Sequence, residues 1–126
     1  MSTKSKGAAS WVALVVYVPE AFAAAVKAAA FAAGAGHIGN YDCCCWQTPG
    51  TGQFRPLPGS QPFCGTADTV SGEPELKLEM LCPAPRQAAV LAAIAAAHPY
   101  DTPVMFAHPV DFPQPSHSCP CTASWP

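Results

Sequence analysis

Seven cysteines and four histidines carry most of the chemical potential of this 126-residue chain. Cys43, Cys44 and Cys45 are contiguous, and Cys119 and Cys121 flank Pro120 with His117 two positions upstream. Thiolates and an imidazole at such spacing form a ligand set suited to Cu(I) or Zn(II). His117, Cys119 and Cys121 are therefore candidate metal ligands, and a copper or zinc ion is the candidate cofactor. In a strand, Cys43 and Cys45 share one face while Cys44 points away, and His37 lies near enough in sequence to join them as a second donor set. The competing reading makes the tail cysteines incidental and Cys43 and Cys45 small packing residues, since free cysteine is among the most buried residue types. Cys64 and Cys82 read as packing residues.

An odd cysteine count with three in a row is a poor disulfide framework, because neighbouring strand side chains point to opposite faces. Reduced thiols in a cytoplasmic compartment are the expectation; export is the alternative. For export, Lys4 and Lys6, the apolar run 11–18 and Ala21-Phe22-Ala23 imitate the three parts of a leader. Against it, Pro19 and Glu20 interrupt a short apolar run whose removal would delete a strand. No stretch is long and apolar enough to span a membrane.

A second polar group is His98, Tyr100 and Asp101, set between a helical pattern and a strand and stiffened by Pro99 and Pro103. It lines a pocket or else forms a rigid turn, with His98 favoured at a helix C-terminus by the dipole. Arg55, in a glycine-rich stretch, is placed to meet one anion. There is no P-loop, and no local Cys-His signature of a thiol enzyme, so no catalytic activity is expected. Six basic against eight acidic residues give a net charge of −2, which argues against nucleic acid as a partner.

The elements follow from pattern. The run 11–18 is apolar and β-branched, as in a strand buried on both faces. Pro19-Glu20 opens a helix to about Ala33, with Phe22, Val26, Ala29 and Ala33 inward and Gly34 and Gly36 ending it. Residues 37–48 read as a second strand and 49–72 as a long Gly/Pro loop, with a hairpin turn at Gly50-Thr51-Gly52. The segment 75–81 alternates apolar and charged residues, the mark of a half-buried strand. A second helix over 85–97 turns Val90, Leu91 and Ile94 inward. Val104, Phe106, His108 and Val110 alternate in a last strand, where His108 reads as a satisfied sheet histidine. The order is βαββαβ, an α+β ferredoxin-like plan with an antiparallel sheet and two helices on one face. A short tail (1–10), one domain (11–112) and a Pro/Cys-rich tail (113–126) complete the organisation.

Three segments carry a family resemblance: Gly34-Ala35-Gly36-His37-Ile38-Gly39-Asn40-Tyr41-Asp42, then Gly50-Thr51-Gly52-Gln53-Phe54-Arg55-Pro56, then Pro62-Phe63-Cys64-Gly65. They resemble the PII-like/CutA-like domain inserted in the Nif-three-like proteins, the GTP cyclohydrolase type 2 homologues. Ala97-His98-Pro99-Tyr100-Asp101-Thr102-Pro103 is similar to the His-Pro-Tyr-acid-x-Pro element of that domain and of CutA. The resemblance covers nearly all of the chain up to Val110; the tail beyond Asp111 lies outside it.

The resemblance implies a subunit that forms a homotrimer by joining sheet edges, and a binding, sensor or regulatory role rather than an enzyme. The two-metal lobes of the full Nif-three-like proteins are not expected in a chain this short. The ligand-binding candidates are Asn40, Tyr41, Arg55, His98, Tyr100 and Asp101; the metal candidates are His37, Cys43, Cys45, His117, Cys119 and Cys121. The expected function is a trimeric binding or sensor protein that takes a soft or transition metal. The alternative is a module without metal that docks on a protein partner.

Overall fold

The structure, a computed structural model, describes residues 10–113. The tail ligands His117, Cys119 and Cys121, and the leader-like Lys4 and Lys6, lie outside the described residues.

Strand β1 (Trp11–Pro19) is followed by a single 3-10 turn (Glu20–Phe22) and helix α1 (Ala23–Ala33). Strand β2 (Trp46–Phe54), strand β3 (Ser71–Pro83), a second 3-10 turn (Ala84–Arg86), helix α2 (Gln87–Ala97) and strand β4 (Met105–Val110) complete the order. The sheet is four-stranded in the order β2-β3-β1-β4, with every neighbouring pair antiparallel. This is the expected βαββαβ ferredoxin-like arrangement. Because β1 is the inner strand between β3 and β4, cleavage after Ala23 would remove the centre of the sheet.

Alternation along the strands divides the two faces of the sheet. Val12, Leu14, Val16 and Val18 of β1, with Leu78, Met80 and Cys82 of β3, pack against Val26, Ala30, Val90 and Ile94 of the helices. Alanine-rich helices supply little bulk, so the branched side chains of the strands fill most of this layer. Among the described residues, both helices lie on this face and none covers the opposite one.

Local expectations needed four corrections. At α1 the expected Val26 is buried and Phe22 and Ala33 pack against the core, but Ala29 is only half-buried and Ala23 and Ala30 complete the buried face instead. The second strand begins at Trp46 rather than His37, because the chain from Gly34 turns repeatedly: Gly34, Gly36, Gly39 and Cys43 all have positive φ. Gly50-Thr51-Gly52 is no turn but lies inside β2, where Gly50 pairs with Glu75 and Gly52 with Glu73; the β2–β3 hairpin is closed by the loop 55–70. In β4, Met105 and Ala107 face the helices, which leaves Phe106 and His108 on the uncovered face, His108 exposed.

Gly36 shows why the glycine-rich segment is so restricted. A Cβ there would lie 2.8 Å from the Phe31 ring and 2.9 Å from the Cys44 carbonyl oxygen. The Gly36 amide donates to the Leu81 carbonyl and its own carbonyl accepts from the Cys44 amide, each at 2.9 Å. The segment's glycines thus stitch the end of α1 to β3.

Candidate functional site

A cleft of about 380 Å³ opens at the end of the sheet where β1 stops and β3 enters. Its floor is Tyr17 of β1 and Glu75 of β3, one wall is Phe54 with Arg55, and the other is Tyr100 with Asp101. The loop 55–70 supplies Phe63 and Cys64 as a rim.

Glu75 is the unusual element, a carboxylate only 9% exposed. Burying a charge is costly unless it is hydrogen-bonded or paired, and here the Tyr100 hydroxyl donates to Glu75 Oε2 at 2.6 Å. The approach depends on Gly52, since a Cβ there would collide with the same carboxylate. Burial, then the hydrogen bond to Glu75 and its negative charge, hold the Tyr100 phenol well above the ordinary tyrosine range. Glycine at 52 in the middle of an edge strand, unfavourable for strand formation by itself, is explained by this contact.

His98 positions Tyr100 rather than facing a ligand. It is buried, its Nε2 lies 2.7 Å from the Tyr17 carbonyl oxygen, and its Nδ1 accepts from the Tyr100 amide at 3.2 Å. That pair of partners assigns the neutral tautomer with the proton on Nε2. The ring also sits against Tyr100, with centroids 5.0 Å apart. Asp101 Oδ2 accepts from the Gln61 amide at 3.0 Å and so anchors the rim loop from below. Arg55 meets Asp68 across the same loop at 3.7 Å, both side chains being largely exposed.

The aromatic rings form a continuous wall. Phe63 packs edge-on against Phe22 at 5.2 Å, and both Phe63 and Phe54 lie tilted against Tyr100 at 6.2 and 6.0 Å. Cys64 sits among carboxylates: partial burial, a hydrogen bond to Glu73 and the charges of Glu73 and Glu75 all push its thiol up. Such a setting keeps sulfur protonated, the reverse of what an activated nucleophile needs.

Of the expected ligand-binding residues, Arg55, Tyr100 and Asp101 line the cleft and His98 supports it. Asn40 and Tyr41 do not. They occupy the turn closed by the Ile38–Tyr41 bridge, with Tyr41 74% exposed. The metal set in the body of the domain also fails to assemble. Among the described residues, no group of three or more His, Cys, Asp or Glu side chains is placed to hold a metal ion, so His37, Cys43 and Cys45 do not form a centre. The reason is the backbone: Cys43 has φ +58° in a turn, and strand alternation begins only after Cys45. Cys64, expected as packing, lines the cleft.

Sequence reasoning missed Glu75, Tyr17, Phe54, Phe63 and Gly52 as site residues. A legible signal existed in the period-two series Glu73, Glu75, Lys77 and Glu79, which puts four charges on the face away from the helices. That Glu75 alone becomes buried depends on loop 55–70, whose path no periodicity reports.

The fold is that of a ferredoxin-like domain similar to CutA1. Comparison with known proteins adds a homology. The chain is homologous to the CutA-like/PII-like domain of the NIF3-related GTP cyclohydrolase 1 type 2 homologues. The homologue of Mycobacterium leprae is 48% identical over 97 residues, which cover 77% of this chain and 25% of that protein. The Bacillus subtilis homologue is 39% identical over 98 residues, 78% of this chain and 26% of its own length. The chain thus spans about a quarter of the length of the curated relatives it matches. Among solved structures, the Bacillus cereus protein related to NIF3 superposes with a TM-score of 0.72 at 34% identity, over 86% of this chain and 28% of the other. The divalent cation tolerance protein CutA1 of Thermus thermophilus superposes with a TM-score of 0.58 at 20% identity, over 82% and 87%, which establishes likeness of fold. No family model matches the chain.

Among the described residues no helix is long and apolar enough to cross a membrane.

Proposed function

We propose that the chain is a non-catalytic, trimeric CutA/PII-like binding domain whose ligand site is the Glu75–Tyr100 cleft. The observation that carries this reading is the cleft itself: a cavity of ligand size with aromatic walls and one nearly buried carboxylate at its floor. The absence of catalysis is supported by the groups present. Cys64 is held protonated, the Tyr100 phenol is held above its ordinary range, and both His98 ring nitrogens are spent on backbone groups, so none of them is an activated nucleophile or a free base.

Assembly is supported by the uncovered sheet face. Trp46, Val104 and Phe106 on that side are 69%, 58% and 45% exposed, an apolar surface of the kind that oligomers cover. Native mass spectrometry of the reduced chain is expected to give a trimer that Phe106→Glu with Trp46→Glu dissociates; a wild-type monomer would remove the assembly reading. Titration with 2-phenylethanol, a neutral aromatic probe, is expected to shift the amide resonances of Phe54, Phe63 and Tyr100. Were those resonances unmoved by it and by charged aromatic probes alike, the cleft would not be the ligand site.

A second reading keeps copper or zinc. Its support is the donor set His117, Cys119 and Cys121, whose types suit a soft ion, and CutA1 of Thermus thermophilus is named for divalent cation tolerance. Titration of the reduced chain with Cu(I) and Zn(II), before and after Cys119→Ser with Cys121→Ser, tests it: unchanged affinity excludes the tail as ligand.

A further inference from the structure

We infer that the cleft takes an organic cation: a small ammonium group carried on an aromatic or aliphatic body, with Glu75 as its counter-ion. The inference rests on the cleft being a ligand site and names the chemistry that fits it.

The argument begins with the charge that lacks a partner. Glu75 is nine-tenths buried, yet among the described residues no cation pairs with it. The ion pairs nearby are spent elsewhere, Arg55 on Asp68 and Lys77 on Glu79. Tyr100 satisfies Oε2, whereas Oε1 accepts no hydrogen bond among the described residues and remains open to the cleft. A carboxylate in a poorly hydrated site favours a cationic occupant, because the attraction is screened less there than in bulk water.

The walls point the same way. Phe54, Phe63 and Tyr100 surround the carboxylate with π surface, whose negative faces attract a cation positioned over them. Asp101 adds a second acidic group to the lining, and Glu73 lies close enough to act on both Cys64 and Tyr100. An anionic ligand would meet these carboxylates with only Arg55 of the lining in its favour, and Arg55 already faces Asp68 at 3.7 Å. A bare divalent ion would lack donors there, since among the described residues no set of three carboxylate, thiol or imidazole groups converges. The volume of about 380 Å³ suits a small organic molecule.

Calorimetric and NMR titration of the full chain with three probes of one shape tests this: 2-phenylethylammonium chloride, 2-phenylethanol and sodium 2-phenylacetate. The ammonium is expected to bind about tenfold tighter than the alcohol, and the carboxylate weakest. Glu75→Gln keeps an acceptor for Tyr100 while removing the charge, and is expected to reduce ammonium affinity to that of the alcohol. Phe63→Leu, on the exposed rim, is expected to weaken the ammonium and spare the alcohol, and it serves if the Glu75 variant does not fold. Equal affinity for ammonium and alcohol overturns the cation assignment while leaving the cleft a binding site. Binding by none of the three overturns both.

Discussion

The Tyr100 hydroxyl donates a hydrogen bond to Oε2 of Glu75 at 2.6 Å, joining the turn after the second helix to the entry of the third strand. The bond settles a buried charge and fixes the floor of the cleft at once. It also makes the phenol's proton part of the fold.

Tyr100 is therefore expected to make stability sensitive to alkali. Its proton is held more tightly in the folded chain than the ordinary 10.0 of an unfolded tyrosine. The folded state thus binds more protons above that value, so stability is full below about pH 10 and falls as pH rises beyond it. Tyr100→Phe should cost about 1–3 kcal/mol at neutral pH by leaving the carboxylate without its donor. The variant should also flatten the alkaline decline. Urea denaturation between pH 7 and 11 reads both effects, and an identical alkaline slope in the variant would assign the decline to other groups.

Gly52→Val should close the cleft. The new side chain drives into the Glu75 carboxylate, and such overpacking costs about 1–3 kcal/mol. Thermal melting measures the loss, and titration with 2-phenylethylammonium is expected to show no binding. A variant of wild-type stability and affinity would show that the carboxylate moves aside freely.

His98→Ala should destabilise the chain by about 1–3 kcal/mol, because the Tyr17 carbonyl and the Tyr100 amide both lose a partner. Probe affinity should fall as well, since Tyr100 loses the ring that holds it. His98→Gln, which can offer a donor and an acceptor, is expected to recover part of both.

Cys64 should resist alkylation. With its thiol raised by partial burial and by Glu73, less thiolate is present near neutrality than for a cysteine of ordinary 9.0. Iodoacetamide at pH 8 is expected to modify it more slowly in the folded chain than in urea. Glu73→Gln should speed the folded-state reaction a few-fold. Mass mapping of the modified cysteine over time checks this, and faster reaction in the folded chain would contradict it.

The architecture was legible in the sequence because its signals are periodic. β1 is a β-branched run, β3 alternates charge with apolar side chains, and each helix is an alanine block ended by a breaker. The failures fall where periodicity stops. Gly50, Gly52 and Pro49 are the chemistry of turns, yet they sit in β2, held by pairing with β3 and by room for the Glu75 carboxylate. Residues 37–45 have enough apolar and aromatic character for a strand, but Gly36 and Gly39 with positive φ turn the chain away from that course. Of the site, Tyr100, Asp101 and Arg55 were visible as polar groups among stiff or glycine-rich neighbours. Glu75 was hidden inside a regular charged alternation, because its burial is imposed by rings distant in sequence.

The position of β1 between β3 and β4 has a consequence for how the chain is made. Strand β1 is one of the two inner strands, and Val16 pairs with Leu78 on one side and Met105 on the other. During synthesis this valine-rich segment is therefore exposed before either partner exists, and the sheet closes only when nearly the whole domain has emerged. Pairings so distant in sequence form slowly and leave sticky strands uncovered meanwhile. The demand this fold places on its cell falls in the interval between the ribosome and the finished sheet.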